Sequence, residues 1–293
     1  MRGYDDLVHG VAAVELDRDI VRVSGPDAIT YLQGQLSQEV TGLGLSTSAW
    51  SLVLQPQGKV DAWLRVTRTA DDEVVLDLDG GYGEALVARL ARFKLRVKAD
   101  IDILDWRCVA LRGPSAASGA AWPRAAGPPE VVVVADARWP LIGGVDLLGP
   151  AVEVPAGIPS ADLEAYEVRR IEAGLPRMGA ELTERTIPAE AGVVDASVSF
   201  TKGCYTGQEL VARIDSRGGH VPRLVRGVRF DRVPRVGDAL VRDGREVGVV
   251  TSVAAHPSGG AVGLALIRRD VELPADAMCG VAAAVIEALP LRP

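Results

Sequence analysis

Apolar and polar side chains alternate strictly between positions 95 and 103, and this pattern restricts the fold more than any other in the sequence. The apolar positions are Leu95, Val97, Ala99, Ile101 and Ile103, and charged residues fill the places between them. Successive side chains of a β-strand point to opposite faces of a sheet, so a period of two predicts a strand with one buried face. A chain with such a strand needs other elements to cover that face.

Strand and helix patterns precede this segment in an order typical of an α+β fold. The predicted elements are a strand over 20–23, a helix that begins after Ser24-Gly25-Pro26-Asp27, two hairpin strands over 49–54 and 59–66, a strand over 73–78 and a helix over 84–94. Proline is tolerated in the first turn of a helix, and an acidic residue suits the positive end of the helix dipole. The order strand, helix, strands, helix, strand is that of ferredoxin-like folds.

The middle of the chain predicts a loop followed by a strand and a helix. Residues 112–129 are rich in Ala, Gly, Pro and Ser and are predicted to form a loop, and a buried strand is predicted over 131–134. Ser160 is placed to cap a helix that carries acidic residues in its first turn. That helix is predicted to end at Gly174, where glycine can adopt the left-handed conformation of a C-cap.

Short β-like runs separated by turn residues fill the chain from about residue 224 onward. Their spacing predicts a small β-barrel or sandwich. We therefore predict two domains, residues 1–221 with two α+β parts and residues 222–293 with the β-barrel.

Composition and charge exclude several classes of protein. The chain has 293 residues, of which 48% are hydrophobic, so it is long enough to bury a large core. A net charge of −7 argues against nucleic acid as the main partner, since the phosphate backbone attracts basic surfaces. We found no signal sequence or apolar stretch long enough for a membrane span. We expect a cytoplasmic protein without a membrane partner.

The three cysteines indicate a reducing compartment, since they are widely spaced and their number is odd. No C-x-x-C pair is present, and the three histidines are isolated from one another. Neither a zinc site nor a histidine-based catalytic triad is therefore predicted, and we expect no metal.

The segment Lys202-Gly203-Cys204-Tyr205-Thr206-Gly207-Gln208-Glu209 is the strongest candidate for chemistry. A helical run follows it, so positive charge from Lys202 and the helix N-terminus would both favour the thiolate of Cys204. Gly203 and Gly207 are expected to allow backbone angles that other residues avoid, so that the loop presents the thiol. The alternative is a tight turn with a small buried cysteine, and the spacing alone leaves both interpretations open.

Glu172, in Arg170-Ile171-Glu172-Ala173-Gly174, is the second candidate. A carboxylate at the C-terminal end of a helix faces the unfavourable end of the dipole, so another group should satisfy it. One interpretation is a solvated helix end or an ion pair with Arg169 or Arg170. The other is an acceptor for a planar ligand with adjacent N–H donors, such as a guanidinium or the edge of a pterin.

These motifs together resemble the YgfZ-type folate-binding proteins, which are bacterial relatives of mitochondrial iron–sulfur assembly factors within the glycine-cleavage T-protein (aminomethyltransferase) superfamily. The matching segments are Val23-Ser24-Gly25-Pro26-Asp27-Ala28, Leu32-Gln33-Gly34-Gln35-Leu36, Gln57-Gly58-Lys59-Val60, Arg170 to Gly174, Ile187-Pro188-Ala189-Glu190, Val198-Ser199-Phe200, Lys202 to Glu209, Val247 to Ser252 and Gly263 to Leu266. The resemblance covers nearly the whole chain, and its Lys-Gly-Cys-Tyr-x-Gly-Gln-Glu motif is specific.

The resemblance implies a ring-like body of α+β folate-binding parts with a C-terminal β-barrel and tetrahydrofolate in the central opening. It places Glu172 against the pterin and makes Arg170, Tyr205 and Gln208 further candidates for folate contacts. It also implies that Cys204 is the reactive group, with Lys202 as its activator.

One departure from the T-protein pattern concerns the catalytic aspartate that T-proteins carry after a Gly-Gly-Val turn. Ala62 and Trp63 occupy the expected positions here, and Asp61 is out of register. We therefore favour a tetrahydrofolate-binding protein that supports iron–sulfur cluster synthesis or repair, with iron–sulfur enzymes or their assembly machinery as partners. The alternative is a folate-dependent one-carbon transferase, although a classical aminomethyltransferase is not expected.

Overall fold

The computed structural model describes residues 1–116 and 132–292. Most of the predicted loop at 112–129 therefore lies outside the described residues, although Arg112 itself ends a strand. In the described part, the chain forms six α-helices, one 3₁₀-helix and fifteen strands.

The elements follow one another along the chain in the following order. They are α1 Tyr4–His9, β1 Ala12–Leu16, β2 Arg18–Ser24, α2 Ala28–Gln35, β3 Ser48–Leu54, β4 Val60–Ala70, β5 Glu73–Asp79, α3 Gly83–Arg92, β6 Asp100–Leu104, β7 Arg107–Arg112, β8 Val133–Ala137, β9 Gly144–Gly149, α4 Leu163–Ala173, the 3₁₀-helix Pro188–Ala191, α5 Val194–Ser197, α6 Gln208–Ser216, β10 Arg223–Phe230, β11 Ala239–Arg242, β12 Arg245–Ala255, β13 Ala261–Arg268, β14 Ala275–Cys279 and β15 Ala282–Glu287.

A five-stranded antiparallel sheet in the order β3-β4-β5-β2-β6 carries the first α+β part. Helices α2 and α3 pack on one face through buried Leu32, Leu86 and Leu90. The other face packs through Leu52 and Trp63 against α4 and the barrel. The predicted α+β class is confirmed.

The strand predicted over 95–103 is present only from Asp100 onward, and the first half of that prediction was wrong. Arg96 has φ +58°, which a β-strand does not accommodate. The backbone N–H of Lys98 donates to the side chain of Asp27 at 2.7 Å, so this stretch lies at the start of α2. Leu95 is 82% exposed. The alternating residues before Asp100 are therefore not part of the sheet.

A second, four-stranded sheet in the order β1-β7-β9-β8 packs against the first sheet. Ile20 and Val75 of the five-stranded sheet share an apolar cluster with Cys108 and Leu148 of the four-stranded sheet. Its strand β8 begins at Val133, slightly later than the predicted start of the buried strand.

Buried and nearly buried charged side chains between the two sheets form one network. Arg65 pairs with Asp77 at 2.9 Å and with Asp146 at 2.7 Å, while Arg18 binds Asp77 and Arg112 binds Asp146. Each carboxylate of the pair Asp77 and Asp146 therefore has two arginine partners. A buried charge is tolerated when it is paired and hydrogen-bonded in this way.

The last six strands close into a β-barrel in the order β10-β13-β12-β11-β14-β15. Its interior is filled by small and branched residues such as Val228, Leu240, Ala265 and Ile286. This agrees with the predicted C-terminal barrel. The boundary between the two predicted domains stays a prediction.

Helix α4 connects the barrel, the two sheets and the N-terminal helix. Its N-cap is Asp162, whose side chain accepts from the N–H of Ala165 at 2.8 Å, so the predicted cap at Ser160 was wrong. Ser160 instead forms a β-bridge with Ala13. The C-terminal end is as predicted, because Gly174 adopts φ +70°.

Candidate functional site

Cys204 is exposed and lies in the short loop between α5 and α6, whereas Cys108 and Cys279 are buried. Burial raises the pKa of the Cys108 thiol well above its usual range. The structure therefore presents only one of the three thiols to solvent. We call residues 202–207 the Cys204 loop.

Lys202 begins this loop and points into the protein. Its Nζ donates to the backbone carbonyls of Gln33 at 2.7 Å, Leu36 at 2.7 Å and Gln38 at 2.8 Å. These carbonyls lie in the last turn of α2 and just after it. Burial lowers the pKa of Lys202 to about 8, while the charge of Glu39 raises it. The ammonium thus has three acceptors from a distant part of the chain.

Gly207 ends the loop in a conformation that requires glycine. It has φ +80° as the N-cap of α6, and a Cβ there would lie 2.7 Å from Leu54 Cβ and would collide with the carbonyl oxygen of Gln55. Gly58, in the turn between β3 and β4, approaches Leu210 of α6 equally closely. The start of α6 is therefore packed directly against this turn.

Gly203 does not need the conformational freedom that the sequence suggested. Its φ is not positive, and a Cβ built there would meet no atom within 4 Å. The prediction that both glycines of the motif are required by the backbone holds for Gly207 only. The space beside Cys204 is open on the Gly203 side.

Tyr205 and Gln208 stabilise the Cys204 loop in this structure. The side-chain oxygen of Gln208 accepts from the N–H of Tyr205 at 3.2 Å. The ring of Tyr205 is partly buried and packs against the apolar cluster that contains Leu52 and Trp63, and its centroid is 5.3 Å from Lys202 Nζ. A folate role for Tyr205 and Gln208 stays a prediction.

Glu172 lies at the end of α4, is only 5% exposed, and has partners on both carboxylate oxygens. Oε2 accepts from Arg169 Nη1 at 2.5 Å, so of the two arginines expected as ion-pair partners, Arg169 and Arg170, Arg169 is the one bound. Oε1 accepts from Tyr4 Oη at 2.9 Å and lies 3.1 Å from His256 Nε2. Burial and the bond to Glu172 raise the pKa of Tyr4 to about 12, so its hydroxyl stays a donor.

Tyr4 and His256 were missed by sequence reasoning. They lie far from Glu172 in the sequence, and their side chains also meet each other, with Oη 3.1 Å from Nε2. The sequence places His256 only among turn residues, and Nδ1 of its ring lies 2.6 Å from Ser258 Oγ. No local pattern of residues relates the three positions. Only the fold brings them together.

Arg170 points away from Glu172 and into an interior ion network. It binds Glu167 at 2.8 Å and Glu181 at 3.3 Å, and it donates to Ser252 of the barrel at 2.7 Å. These contacts join α4 to β12. A folate role for Arg170 stays a prediction.

A cavity of about 720 Å³ lies beside Arg169, the ion-pair partner of Glu172. It is lined by Val8, Gly113, Pro114, Ala116, Asp136, Arg138, Trp139, Pro140, Leu141, Gly143, Gly144 and Arg169. Arg169 donates through Nη2 to the carbonyl of Leu141 at 3.0 Å, and Leu141 has φ +61°, which is unusual for a bulky side chain. Arg169 Nε is buried and has no hydrogen-bond partner among the residues that the structure describes.

Three tryptophans lie between the five-stranded sheet and α4. Trp50 stacks on Trp63 with ring centroids 4.1 Å apart, and Trp139 meets Trp63 edge-on at 5.8 Å. Trp139 also lines the cavity and donates from Nε1 to the carbonyl of Ala173 at 3.1 Å. Asp61, two residues before Trp63, pairs with Arg89 of α3 at 3.0 Å. At the positions where T-proteins carry the catalytic aspartate, this chain therefore has Trp63, which packs in an aromatic cluster with Trp50 and Trp139.

Two further observations concern the described residues only. They contain no group of three or more His, Cys, Asp or Glu side chains arranged to hold a metal ion. Within the same residues, every helix is too short or too polar to cross a membrane.

No family model matches the chain. The tRNA-modifying protein YgfZ of Edwardsiella ictaluri is 30% identical over 285 residues, which covers 88% of this chain and 84% of that protein. The chain belongs to the YgfZ family.

Relatives of this YgfZ-family chain extend to mitochondria. The iron–sulfur cluster assembly factor IBA57 homologue of Pyricularia oryzae is 31% identical over 224 residues, which cover 73% of this chain. This chain spans only 56% of that protein and 62% of a similar factor from Chaetomium globosum.

The fold agrees with that of the T-protein superfamily. Glycine cleavage system aminomethyltransferase T from Bartonella henselae superposes with a TM-score of 0.79 at 20% identity and covers 99% of this chain and 89% of that chain. This likeness shows the fold, including the predicted α+β body and the C-terminal barrel.

Proposed function

We propose that this YgfZ-family chain binds a reduced folate and supports the synthesis or repair of iron–sulfur clusters, with Cys204 as its reactive group. Support for the iron–sulfur role comes from relatives that are named iron–sulfur cluster assembly factors. Other relatives are named tRNA-modifying proteins, and in this proposal the iron–sulfur enzyme that is supported acts in tRNA modification, while this acidic chain does not itself bind tRNA. Iron–sulfur enzymes or their assembly machinery are the proposed partners.

The observation that carries the folate part is the cavity beside Glu172. Its volume of about 720 Å³ lies within the range of small-molecule sites. Arg169 lines it and keeps one buried donor, Nε, without a partner in the described residues. A buried donor without a partner is costly, and the guanidinium of Arg169 is a group at this cavity that can donate to a carbonyl or ring nitrogen of a pterin. Trp139 adds an aromatic surface at the same cavity.

Glu172 does not itself line this cavity, but it pairs with Arg169, which does. Both of its oxygens already accept from Arg169 and Tyr4, so a pterin that reaches the carboxylate must replace the hydroxyl of Tyr4 or the contact with His256. Adjacent N–H donors on a pterin edge match a carboxylate acceptor. In this proposal Arg169 stays paired with Glu172 and orients it.

The proposed reactive role of Cys204 rests on its exposure. A thiol must be accessible to react, and Cys204 meets this condition, whereas Cys108 and Cys279 do not. All three thiols are unpaired, which fits the cytoplasmic location that we propose. The alternative function, one-carbon transfer, lacks a free aspartate at the expected place, because Asp61 is held by Arg89.

Calorimetric titration with a panel of reduced folates tests the folate part. Glu172→Gln should weaken binding at least about tenfold, because it removes a charged acceptor. Glu164→Gln, at an exposed position on the same helix, is the matched control and should bind normally. A folded Glu172→Gln protein with unchanged affinity would remove Glu172 from the site, and no binding by the wild-type protein would refute the folate proposal.

Complementation tests the iron–sulfur part separately. Cys204→Ala should fold and bind folate, yet fail to restore iron–sulfur enzyme activity in cells that lack the native protein. Cys108→Ala is the control at a buried thiol, and it should restore that activity if it remains folded. Full activity with Cys204→Ala would refute the role of the thiol and leave folate binding untouched.

A further inference from the structure

All three N–H donors of the Lys202 ammonium are hydrogen-bonded to backbone carbonyls at the end of α2. We propose that Lys202 is a positioning residue that ties the Cys204 loop to this helix end, and that it does not activate the thiol through its charge. This inference deepens the proposed function, since it concerns the loop that carries Cys204. It replaces the activator role that the sequence predicts for Lys202.

The C-terminal end of α2 is a favourable place for an ammonium group. The last carbonyls of a helix have no partner within the helix and carry the negative end of its dipole. Gln33 lies in the last turn of α2, Leu36 is its C-cap and Gln38 follows. Lys202 donates to the backbone carbonyls of these three residues at 2.7–2.8 Å. Lys202 itself is more than 160 residues away from them in the sequence.

Two further hydrogen bonds connect the end of α2 to the residues that precede Lys202. Ser37 Oγ donates to the carbonyl of Ser197 at 2.6 Å, and the N–H of Ser199 donates to the carbonyl of Ser37 at 3.0 Å. The chain that leads into the Cys204 loop is therefore fixed to the end of α2 before Lys202 is reached.

The far end of the Cys204 loop is anchored independently. Gly207 and Leu210 pack against the turn at Gln55 and Gly58 so closely that no side chain fits between them. Only four residues, 203–206, lie between the anchors at Lys202 and Gly207. A segment this short with both ends fixed has few conformations, so the position of Cys204 follows from its anchors.

The ammonium also faces the ring of Tyr205, which adds a cation–π contact from within the loop. Three carbonyls and one aromatic ring therefore surround Lys202 Nζ. An ammonium has three donors, and all are used, so none remains for a thiolate. Its charge offsets the partial negative charge of the helix end rather than that of Cys204.

Two measurements on the full chain separate positioning from activation. The first is the rate of iodoacetamide labelling of Cys204 from about pH 6 to about pH 9, read by mass spectrometry. The second is amide hydrogen exchange of residues 203–207 near neutral pH. The variants are Lys202→Met, Lys202→Arg and, as a matched control, Lys98→Met at an exposed lysine.

With Lys202→Met we expect hydrogen exchange in the Cys204 loop to rise at least about tenfold, while the barrel strands exchange as before. The midpoint of the labelling profile should stay where it is in the wild-type protein. Lys202→Arg should restore part of the protection, because a guanidinium also donates to carbonyls. Lys98→Met should change neither measurement.

Other outcomes overturn the inference. A labelling midpoint that moves to higher pH in Lys202→Met shows that Lys202 activates the thiol. Unchanged exchange in the loop shows that the tether does not position it. Neither measurement depends on the iron–sulfur role, so a Cys204→Ala protein that still complements would refute that role alone and leave this inference standing.

Discussion

Arg65 and Asp77 face each other as a buried two-pronged ion pair, with Nε 3.0 Å from Oδ2 and Nη2 2.9 Å from Oδ1. Both side chains are almost completely removed from solvent. Parallel hydrogen bonds of this kind fix the relative orientation of the two groups as well as their distance. Because Arg65 also binds Asp146 of the other sheet, the pair helps to set how the two sheets pack.

Asp77→Asn should destabilise the protein strongly. The substitution leaves two buried arginines short of a counter-charge, and breaking a buried pair costs about 3–5 kcal/mol. Urea unfolding measures the loss. Asp71→Asn is the control, since Asp71 forms an exposed pair with Arg68 at 3.7 Å and should change stability by less than about 1 kcal/mol. Equal effects of the two substitutions would show that burial of the network adds nothing.

Stability should fall at low pH because of Asp146. Arg112, Arg65 and Arg18 outweigh the effect of burial and lower the pKa of Asp146 from 3.8 to about 2. A lowered carboxyl pKa stabilises the fold above the unfolded value, and this contribution is lost as pH falls from about 4 to about 2. It amounts to about 2 kcal/mol. Urea unfolding of the wild-type protein and of Asp146→Asn across this range measures the free energy of unfolding of each. The difference between the two should become smaller as the pH falls.

Gly207→Ala and Gly203→Ala should differ sharply although they lie in the same loop. Gly207 has φ +80° and no room for a Cβ, so alanine there should destabilise the loop by more than about 1 kcal/mol. Gly203 has open space and an ordinary φ, so alanine should leave stability within about 0.5 kcal/mol. Thermal unfolding compares them. Similar losses for both would contradict the geometry of this loop.

Tyr4→Phe should weaken the fold and strengthen folate binding. The hydroxyl donates to the Glu172 carboxylate, and such a bond to a charged group is worth about 1.5–3 kcal/mol. Its removal leaves His256 as the one remaining side-chain partner described for Oε1, so a pterin N–H meets one competitor fewer there. Calorimetry with tetrahydrofolate measures the affinity, and Tyr166→Phe on α4 serves as a comparison. Weaker binding in Tyr4→Phe would mean that the hydroxyl contacts the ligand directly.

We expect no aminomethyltransferase turnover. Proton exchange at the folate nitrogen needs a correctly placed acid or base, and Asp61 is engaged by Arg89 while Ala62 and Trp63 are buried. The assay supplies tetrahydrofolate and an aminomethyl-lipoyl carrier and follows methylenetetrahydrofolate. Product formation at ordinary enzyme rates would favour the transferase hypothesis over the iron–sulfur role.

Features that depend on a few neighbouring residues could be predicted from the sequence. Gly174 ends α4 and Gly207 begins α6 because each position needs a left-handed backbone, which glycine alone adopts without strain. The prediction of Ser160 as the N-cap was wrong, because Ser and Asp both cap helices. Asp162 is the N-cap, and its side chain also accepts from the backbone N–H of Arg2.

Contacts between distant segments could not be predicted. The charge of Lys202 suggested a partner within the loop, yet its three acceptors lie at the end of α2. Glu172 was correctly seen to need a satisfying group, and Arg169 was among those considered. Tyr4 and His256 carry no local signal of this role, since only the packed α1, α4 and barrel bring them to the same carboxylate.

The contacts of Glu172 also determine at what stage of protein synthesis its surroundings can form. Tyr4 comes from the first helix, His256 from the loop between β12 and β13, and the N–H of Leu291 donates to the backbone carbonyl of Glu172 at 2.7 Å. During synthesis, the five-stranded sheet can form long before residues 256 and 291 leave the ribosome. The surroundings of Glu172 therefore become complete only after residue 291 has been translated.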